Sequence, residues 1–179
     1  METIKEKEKK VYKALKDKYG YKGPMAAPRL LKIVISSGTG TGTKKNKDFN
    51  NLVIDRLSKI TGQRPATRGA KKSVSSFKIR MGDPVGVVVT LRGTRMHSFL
   101  EKLINVAIPR TKDFRGIDKK VVDDIGNLTM SVKEHTIFPE TGDEELKDVF
   151  GLAITFITTA KTKAEATDFF ELIGIPFKK

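Results

Sequence analysis

Residues 85–108 read VGVVVTLRGTRMHSFLEKLINVAI, a strand pattern followed at once by a helix pattern. Up to residue 92 every second side chain is apolar, and Thr90 and Arg92 share the opposite face with Val88. From Met96 onward, apolar residues recur three and four positions apart until Pro109 ends the helix. This stretch therefore predicts a strand with one apolar face that leads into a helix packed against the core.

The same two periodicities recur on both sides of this stretch. Helical spacing marks residues 2–19, 49–60 and 162–173, and strand alternation marks residues 31–36, 127–133 and 152–159. Strands and helices interleave irregularly, and each strand has one apolar face. We therefore expect an α+β fold, a mostly antiparallel sheet with helices packed on one face and the opposite face open.

The composition favours one soluble domain. Leu, Ile, Val and Phe occupy 50 of the 179 positions, enough for the core of a single domain over residues 1–179. No apolar run approaches the length of a membrane span, and the charged N-terminus lacks the apolar middle of a signal peptide. With no cysteine, the chain has no disulfide and no thiolate metal site. We expect an intracellular protein with no membrane partner.

Positive charge is concentrated in the first part of the chain. Residues 1–100 contain 23 Lys and Arg against 7 Asp and Glu, whereas residues 101–179 contain 12 against 14. Residues 56–82 contain no acid at all and hold eight bases, namely Arg56, Lys59, Arg64, Arg68, Lys71, Lys72, Lys78 and Arg80. Such an imbalance indicates a partner that supplies phosphates from outside the chain.

The polar face of the predicted sheet is rich in hydroxyls and poor in acids. Short hydroxyl side chains can donate to phosphate and ribose oxygens, although threonine also simply favours strands. Only Phe77 interrupts the basic stretch with an aromatic ring, which favours a folded RNA over a single strand. The face would carry Lys32, Ser36, Thr90, Arg92, Thr129, Ser131, Lys133, Thr155 and Thr159.

Residues 70–83 have a different character from the rest of the chain. They are basic, have few sizeable apolar side chains and are bounded by Gly69 and Gly82. Such a segment buries too little surface to belong to the main core. We expect it to project as a loop and to be mobile in the free protein.

Other patterns point to no catalytic site, metal or cofactor. The repeat at 38–43 predicts a flexible loop, and Thr43 stands where a dinucleotide motif needs glycine. His97 and His135 lack a third metal ligand at a suitable spacing, and the acids at 140 and 143–145 favour a solvated loop or a contact with a basic protein. Two alternatives remain: a nucleotide-dependent RNA-modifying enzyme using residues 38–43, and a general cationic RNA chaperone.

Several motifs in order resemble one known family over essentially the whole chain. They are Met25-Ala-Ala-Pro-Arg29, Gly62-Gln63-Arg64-Pro65, residues 71–82 (KKSVSSFKIRMG), Val89-Thr90-Leu91-Arg92-Gly93, Pro109-Arg110-x-x-Asp113-Phe114-Arg115-Gly116, Gly126-Asn127, Phe138-Pro139-Glu140, Thr158-Thr159-Ala160-Lys161 and Pro176-Phe177-Lys178-Lys179. Together they are similar to the bacterial form of the large-subunit ribosomal protein five family.

The resemblance implies a structural protein of the cytoplasmic ribosome whose sheet face binds 5S rRNA in the central protuberance. By matching position, Gln63, Thr90 and Arg92 face 5S rRNA, and the family's asparagine near the end of the first strand is replaced by Ser36-Ser37. The full candidate set for 5S rRNA is Lys32, Ser36, Ser37, Gln63, Arg64, Thr90, Arg92, Thr129 and Ser131.

The resemblance also implies partners beyond 5S rRNA. The projecting loop would reach the elbow of peptidyl-site tRNA, and another surface would form an intersubunit bridge with small-subunit head protein thirteen. Large-subunit rRNA and neighbouring large-subunit proteins complete the implied partners. The candidate tRNA contacts are Arg68, Lys71, Lys72, Ser73, Lys78, Arg80 and Met81.

Overall fold

The computed structural model describes residues 3–46, 48–112, 114–142 and 149–178, with the side chains of residues 44 and 45 outside that description. It has an α+β fold built on a five-stranded antiparallel sheet, which confirms the expected class. The strands are β1 (Leu30–Gly38), β2 (Ala66–Gly69), β3 (Pro84–Leu91), β4 (Leu128–Val132) and β5 (Leu152–Thr158), in the order β2-β3-β1-β5-β4. The helices are α1 (Ile4–Tyr19), α2 (Gly40–Lys45), α3 (Phe49–Thr61), α4 (Gly93–Lys102) and α5 (Lys163–Ile173).

Burial alternates along the central strands with a period of two. In β5, Leu152, Ile154, Phe156 and Thr158 are buried, and the residues between them are only half-buried. β4 alternates between buried and exposed residues, and β3 alternates from Val87 onward. One face of the sheet is thus covered and the other is left open, as the sequence patterns predict.

The chain folds into two compact units. Unit 1 comprises residues 1–33, 92–130 and 155–179, and it contains α1, α4 and α5. Its core includes the edge-to-face rings of Phe156 and Phe170, whose centroids lie 6.2 Å apart. α1 packs on α4 and α5, begins with a capping box between Thr3 and Glu6, and ends at Gly20 in the left-handed conformation.

Unit 2 comprises residues 34–91 and 131–154, and in it α2 and α3 pack on β3. Its core contains a buried polar pair, because Arg56 Nη1 donates to His135 Nε2 at 3.1 Å. The His135 ring also stacks on Phe150, with centroids 4.1 Å apart. His135 is therefore a buried packing residue of this unit.

The structure differs from the sequence prediction in three local features. Residues 40–45 form α2 and not a flexible loop, and the Phe49 ring packs directly on Gly42, where a Cβ would lie 2.3 Å from ring carbons. In β1, Leu30 is buried and Leu31 is exposed, so the inward alternation begins only at Ile33. The helix predicted to run to residue 108 is α-helical only to Lys102, and a wider π-helical turn continues through Leu103–Ala107.

Candidate nucleic-acid interface

The open face of β3 in unit 2 is shaped by Gln63. This residue follows Gly62, which ends α3 in the left-handed conformation and lets the chain turn back toward the sheet. Its side-chain amide donates to the carbonyl oxygen of Thr90 at 3.3 Å. Gln63 Oε1 accepts no hydrogen bond from any residue that the structure describes, so this acceptor and the half-buried Thr90 hydroxyl remain available to a ligand.

Two arginines flank the same face of β3. The antiparallel register pairs Ala66 with Val88 and Arg68 with Gly86. Paired residues of antiparallel strands point to the same side of a sheet, so Arg68 shares the face of Val88 and Thr90. Arg64 is exposed just before β2. The open face in unit 2 therefore combines an amide, a hydroxyl and two exposed guanidinium groups.

Arg92 follows β3 directly and starts unit 1. It is the N-cap residue of α4 with an extended backbone (φ −140°, ψ 162°), and its side chain is exposed. Between residues 3 and 178, excluding the gaps given above, no acidic side chain pairs with it. A guanidinium with five donors and no internal partner is suited to bidentate contact with phosphate.

Hydroxyl groups occupy the open face of unit 1. The side chains of Thr129 on β4 and Thr155 on β5 lie 3.0 Å apart, Oγ1 to Oγ1. Each hydroxyl has one proton to donate, so a pair that shares one hydrogen bond keeps one donor for a ligand.

The remaining candidates of the open face lie on or beside several strands. Lys32 on β1 is half-buried, and Thr159 Oγ1 accepts the Arg29 amide at 3.0 Å. In unit 2, Ser131 is exposed on β4.

Ser37 must be removed from the candidate set. Only 5% of its surface is exposed, and its Oγ donates to the carbonyl oxygen of Gly151 at 2.8 Å. It shares the covered face of β1 with Ile33 and Ile35, whereas Ser36 points to the open face and is half-buried. Of the two serines, only Ser36 can face a ligand in this conformation.

Two of the eight bases counted in residues 56–82 also have partners inside the chain. Arg56 is 6% exposed and contacts His135, and Lys59 forms an ion pair with Asp55 at 3.0 Å, just outside the acid-free window. The inference that all eight charges need an external anion was therefore too broad. The other six, Arg64, Arg68, Lys71, Lys72, Lys78 and Arg80, are all exposed.

Residues 70–83 form a hairpin that extends β2 and β3. Two hydrogen bonds close its base, Ala70 N to Asp83 O at 2.8 Å and Gly82 N to Ala70 O at 3.0 Å. Val74 and Ile79 pair as an isolated antiparallel bridge nearer the tip. Backbone hydrogen bonds thus hold the hairpin, while every side chain from residue 71 to residue 78 is exposed.

Two candidate loop residues have a structural contact within the hairpin. The Met81 amide donates to Ser73 Oγ at 2.9 Å, so Ser73 helps to set the turn. The Met81 side chain is 73% exposed, and the Phe77 side chain is 63% exposed. Phe77 was not among the candidate contacts, yet an exposed ring in a basic hairpin is a platform on which a base or ribose can pack. The sequence could have indicated Phe77, because it is the one aromatic residue in the basic stretch.

The other patterns weighed in the sequence gain no chemical site. Because residues 40–45 are helical and the Thr39 amide donates to Val85 O at 2.9 Å, the glycine repeat does not form an open phosphate loop. His97 Nδ1 donates to Gly93 O at 2.9 Å, and its Nε2 lies 3.1 Å from Glu8 Oε2.

Across the described ranges, no cluster of three potential metal ligands occurs, and no helix has the length and apolarity to cross a membrane. The acids at 143–145 lie outside the described residues.

Two family models match successive parts of the chain. The family model described as ribosomal protein L5 matches residues 23–80, and the model for the C-terminus of the same ribosomal family matches residues 84–177. The chain belongs to the ribosomal protein L5 family. This confirms the resemblance and makes the chain a structural, non-enzymatic protein of the large subunit of the cytoplasmic ribosome.

Curated relatives support this family over almost the full chain. The large ribosomal subunit protein uL5 of Thermotoga maritima is 45% identical over 172 residues, which cover 96% of this chain and 93% of that protein. The protein of the same name from Desulforamulus reducens is 48% identical over 165 residues, covering 92% of this chain and 91% of that protein. As an L5 family member the chain is an rRNA-binding component of a ribonucleoprotein that acts in translation.

Proposed function

We propose that this L5 family member binds 5S rRNA through the open faces of its sheet and helps to attach that RNA to the large subunit. The contacts would be made by Gln63, Arg64, Thr90 and Ser36 in unit 2, and by Lys32, Arg92 and Thr129 in unit 1. Exposed Ser131 is a further candidate in unit 2. The same proposal includes large-subunit rRNA as a second RNA partner in this attachment.

One observation carries this proposal. In unit 2, Gln63 is held against the half-buried Thr90 of β3 with an acceptor that no described residue uses, and exposed Arg64 follows Gln63 directly. An acceptor, a hydroxyl and a guanidinium within one unit can bind ribose hydroxyls and phosphates at the same time. No exposed acid interrupts β2 or β3 to repel an RNA backbone.

The hairpin at 70–83 is proposed as a separate contact for peptidyl-site tRNA. It would use Arg68, Lys71, Lys72, Lys78 and Arg80, with Met81 packing against the tRNA and Ser73 setting the turn. Exposure of these bases on a narrow, internally hydrogen-bonded hairpin supports this role, because such an element can reach a partner beyond the body of the protein.

The intersubunit contact is proposed on the family resemblance. Small-subunit head protein thirteen would be the partner in this bridge, and other large-subunit proteins would flank this one in the assembled particle. Two further expectations stay predictions. The hairpin is expected to be mobile in the free protein, and residues 1–179 are expected to act as one RNA-binding domain.

Binding to 5S rRNA should depend steeply on salt. If the open faces and flanking bases neutralise about 5–7 phosphates, the slope of log K against log salt should be roughly −4 to −6. A gel-shift competition between 5S rRNA and bulk tRNA across a potassium chloride series measures both the slope and the preference. A flat slope, or equal affinity for the two RNAs as a general chaperone would show, contradicts the proposal.

Replacing Arg92 with alanine should weaken 5S rRNA binding by about 1–3 kcal/mol, because a charged hydrogen bond to phosphate would be lost. The matched control is Arg115→Ala, which removes one exposed guanidinium from a loop in unit 1 outside the sheet. Dissociation constants at fixed salt provide the measurement. Equal losses in the two variants would show that only net charge matters and would remove Arg92 from the site.

A further inference from the structure

Four exposed lysines of α1 form a row on its solvent side, the α1 lysine stripe, made of Lys5, Lys9, Lys13 and Lys16. With 3.6 residues per turn, they lie about 100–180° around the helix from buried Ile4. The other buried residues of α1, Val11 and Leu15, lie within about 20° of Ile4 by the same geometry. The stripe therefore faces away from the side of α1 that packs on α4 and α5.

Two acids of α1 that could neutralise the stripe, Glu6 and Glu8, make structural contacts. Glu6 Oε2 accepts the Thr3 amide at 3.0 Å in the capping box. Glu8 accepts the Leu30 amide at 2.7 Å through one oxygen, and its other oxygen lies 3.1 Å from His97 Nε2. Both carboxylates accept backbone amides, and Glu8 is half-buried whereas Glu6 is exposed.

The same holds for acids on the neighbouring helices. Glu101 of α4 accepts the Ile4 amide at 2.8 Å. Asp168 of α5 accepts hydrogen bonds from Lys18 and from the Tyr19 hydroxyl, at 2.6 Å for the tyrosine. Burial acts to raise the pKa of Asp168, but these hydrogen bonds outweigh it and the pKa is lowered. Asp168 is thus held as an anion by groups at the end of α1.

The stripe lysines themselves have no acidic partner among the described residues. Lys5, Lys9 and Lys13 form no ion pair there, and Lys16 Nζ lies 6.0 Å from the centre of the Tyr12 ring. Asp17 is exposed four residues after Lys13, yet the two side chains do not pair in this structure. Four like charges thus share one side of the helix, and no ion pair joins them to an acid in the part of the chain that the structure describes.

The chemistry of the stripe favours a phosphate backbone over a protein. Protein interfaces are depleted in lysine and centre on aromatic or apolar side chains. Between residues 3 and 24, no large apolar side chain is exposed. Lysine is a hydrated point charge that suits phosphate oxygens without demanding a fixed geometry.

The length of the stripe also suits a nucleic-acid helix. With a rise of 1.5 Å per residue, Lys5 and Lys16 are about 16 Å apart along α1. A double helix presents roughly one negative charge per 1.7 Å of its axis, so this length of duplex offers more phosphates than the stripe has lysines. We propose that the α1 lysine stripe binds the phosphate backbone of an RNA helix, as a further RNA surface that does not read sequence. It deepens the proposed function, since it assumes that the protein works bound to rRNA.

The test uses the full chain and an RNA duplex of mixed sequence unrelated to 5S rRNA. Changing Lys5, Lys9, Lys13 and Lys16 to glutamine should make the slope of log K against log salt shallower by about 3–4, since each lost phosphate contact contributes about 0.9. Glutamine is a good helix former, and circular dichroism confirms that α1 is retained. The four Lys→Arg changes should preserve the slope.

A matched control removes the same charge elsewhere in unit 1. It changes Lys112, Lys120, Lys161 and Lys178, all exposed, to glutamine. Acetylation of lysines, followed by mass spectrometry with and without the duplex, gives a reading at each residue, and the four stripe lysines should be protected several-fold more than the four control lysines. An unchanged slope, equal slope changes in the two glutamine variants, or no protection of the stripe would overturn the proposal. If the true partner of the stripe were an acidic protein, the salt slope measured with the RNA duplex would not change.

This result is separable from the test of 5S rRNA binding. In one outcome, the wild type shows no preference for 5S rRNA over tRNA while the four stripe changes still reduce the salt slope for the duplex. In that case the sheet-face proposal fails and the stripe proposal stands. If 5S rRNA is preferred and the stripe changes have no effect on the duplex, the reverse holds.

Discussion

Neutralising Lys71, Lys72, Lys78 and Arg80 together is expected to leave most 5S rRNA affinity intact and to impair tRNA placement on assembled ribosomes. All four side chains are exposed on the hairpin, and none packs into the core of unit 2. Exposed ion pairs contribute about 0.2–1 kcal/mol each, so the four changes should weaken tRNA binding by about 1–4 kcal/mol. The hairpin backbone should survive, because its hydrogen bonds join main-chain groups and Ser73.

The measurement has two arms. Large subunits assembled with the quadruple glutamine variant are joined to small subunits, and occupancy of the peptidyl site by labelled tRNA is titrated. Free protein is titrated with 5S rRNA in parallel. The control is the set Lys112, Lys120, Lys161 and Lys178→Gln, which loses the same charge. If the hairpin variant loses 5S rRNA binding while circular dichroism shows it folded, the assignment of two separate RNA surfaces is wrong.

Replacing Gly126 with alanine should destabilise the protein by roughly 2–5 kcal/mol, from a strained backbone plus overpacking. Gly126 has φ +86°, and a Cβ there would lie 2.9 Å from both the carbonyl oxygen and the Cβ of Ala160. Its own carbonyl accepts the Thr158 hydroxyl at 2.6 Å, and Asn127 Oδ1 accepts the Thr158 amide at 3.3 Å. The substitution would disturb the contacts that join the start of β4 to the end of β5.

Gly20 provides the matched control for this change. It also has a positive φ (+65°), but a Cβ there would meet nothing within 4 Å. Gly20→Ala should cost about 1–2 kcal/mol from the left-handed conformation alone. Urea unfolding of the two variants and the wild type separates strain from clash. Equal free energies of unfolding in the two variants would show that the approach of Ala160 is not a constraint.

The sequence was most informative where a simple period governs burial. The alternation in residues 85–92 identified the side chains that β3 leaves open, including Thr90 and Arg92. The same alternation could have separated Ser36 from Ser37, since Ser37 has the parity of Ile33 and Ile35. By this rule only Ser36 belongs to the open face of β1.

Other features depended on contacts between distant positions. Arg56 lies in the buried arc of α3 beside Val53, Leu57 and Ile60, which helical spacing could have shown. Its partner His135 lies 79 residues away, so no local pattern indicates how its charge is accommodated. Likewise, α2 forms in a glycine-threonine repeat and packs its Gly42 against the Phe49 ring, a contact that helix propensity does not contain.

The strand order has a consequence for the protein during its synthesis. β1 ends at Gly38, and its two neighbours in the sheet are β3, which begins at Pro84, and β5, which begins at Leu152. At roughly 5–20 residues per second, the ribosome would complete β5 about 6–24 s after β1 has been made. Throughout that interval the nascent chain carries a strand with alternating isoleucines and an unpaired edge, the kind of template on which chains aggregate. The protein is therefore most prone to misassembly during its own synthesis, before β5 can pair with β1.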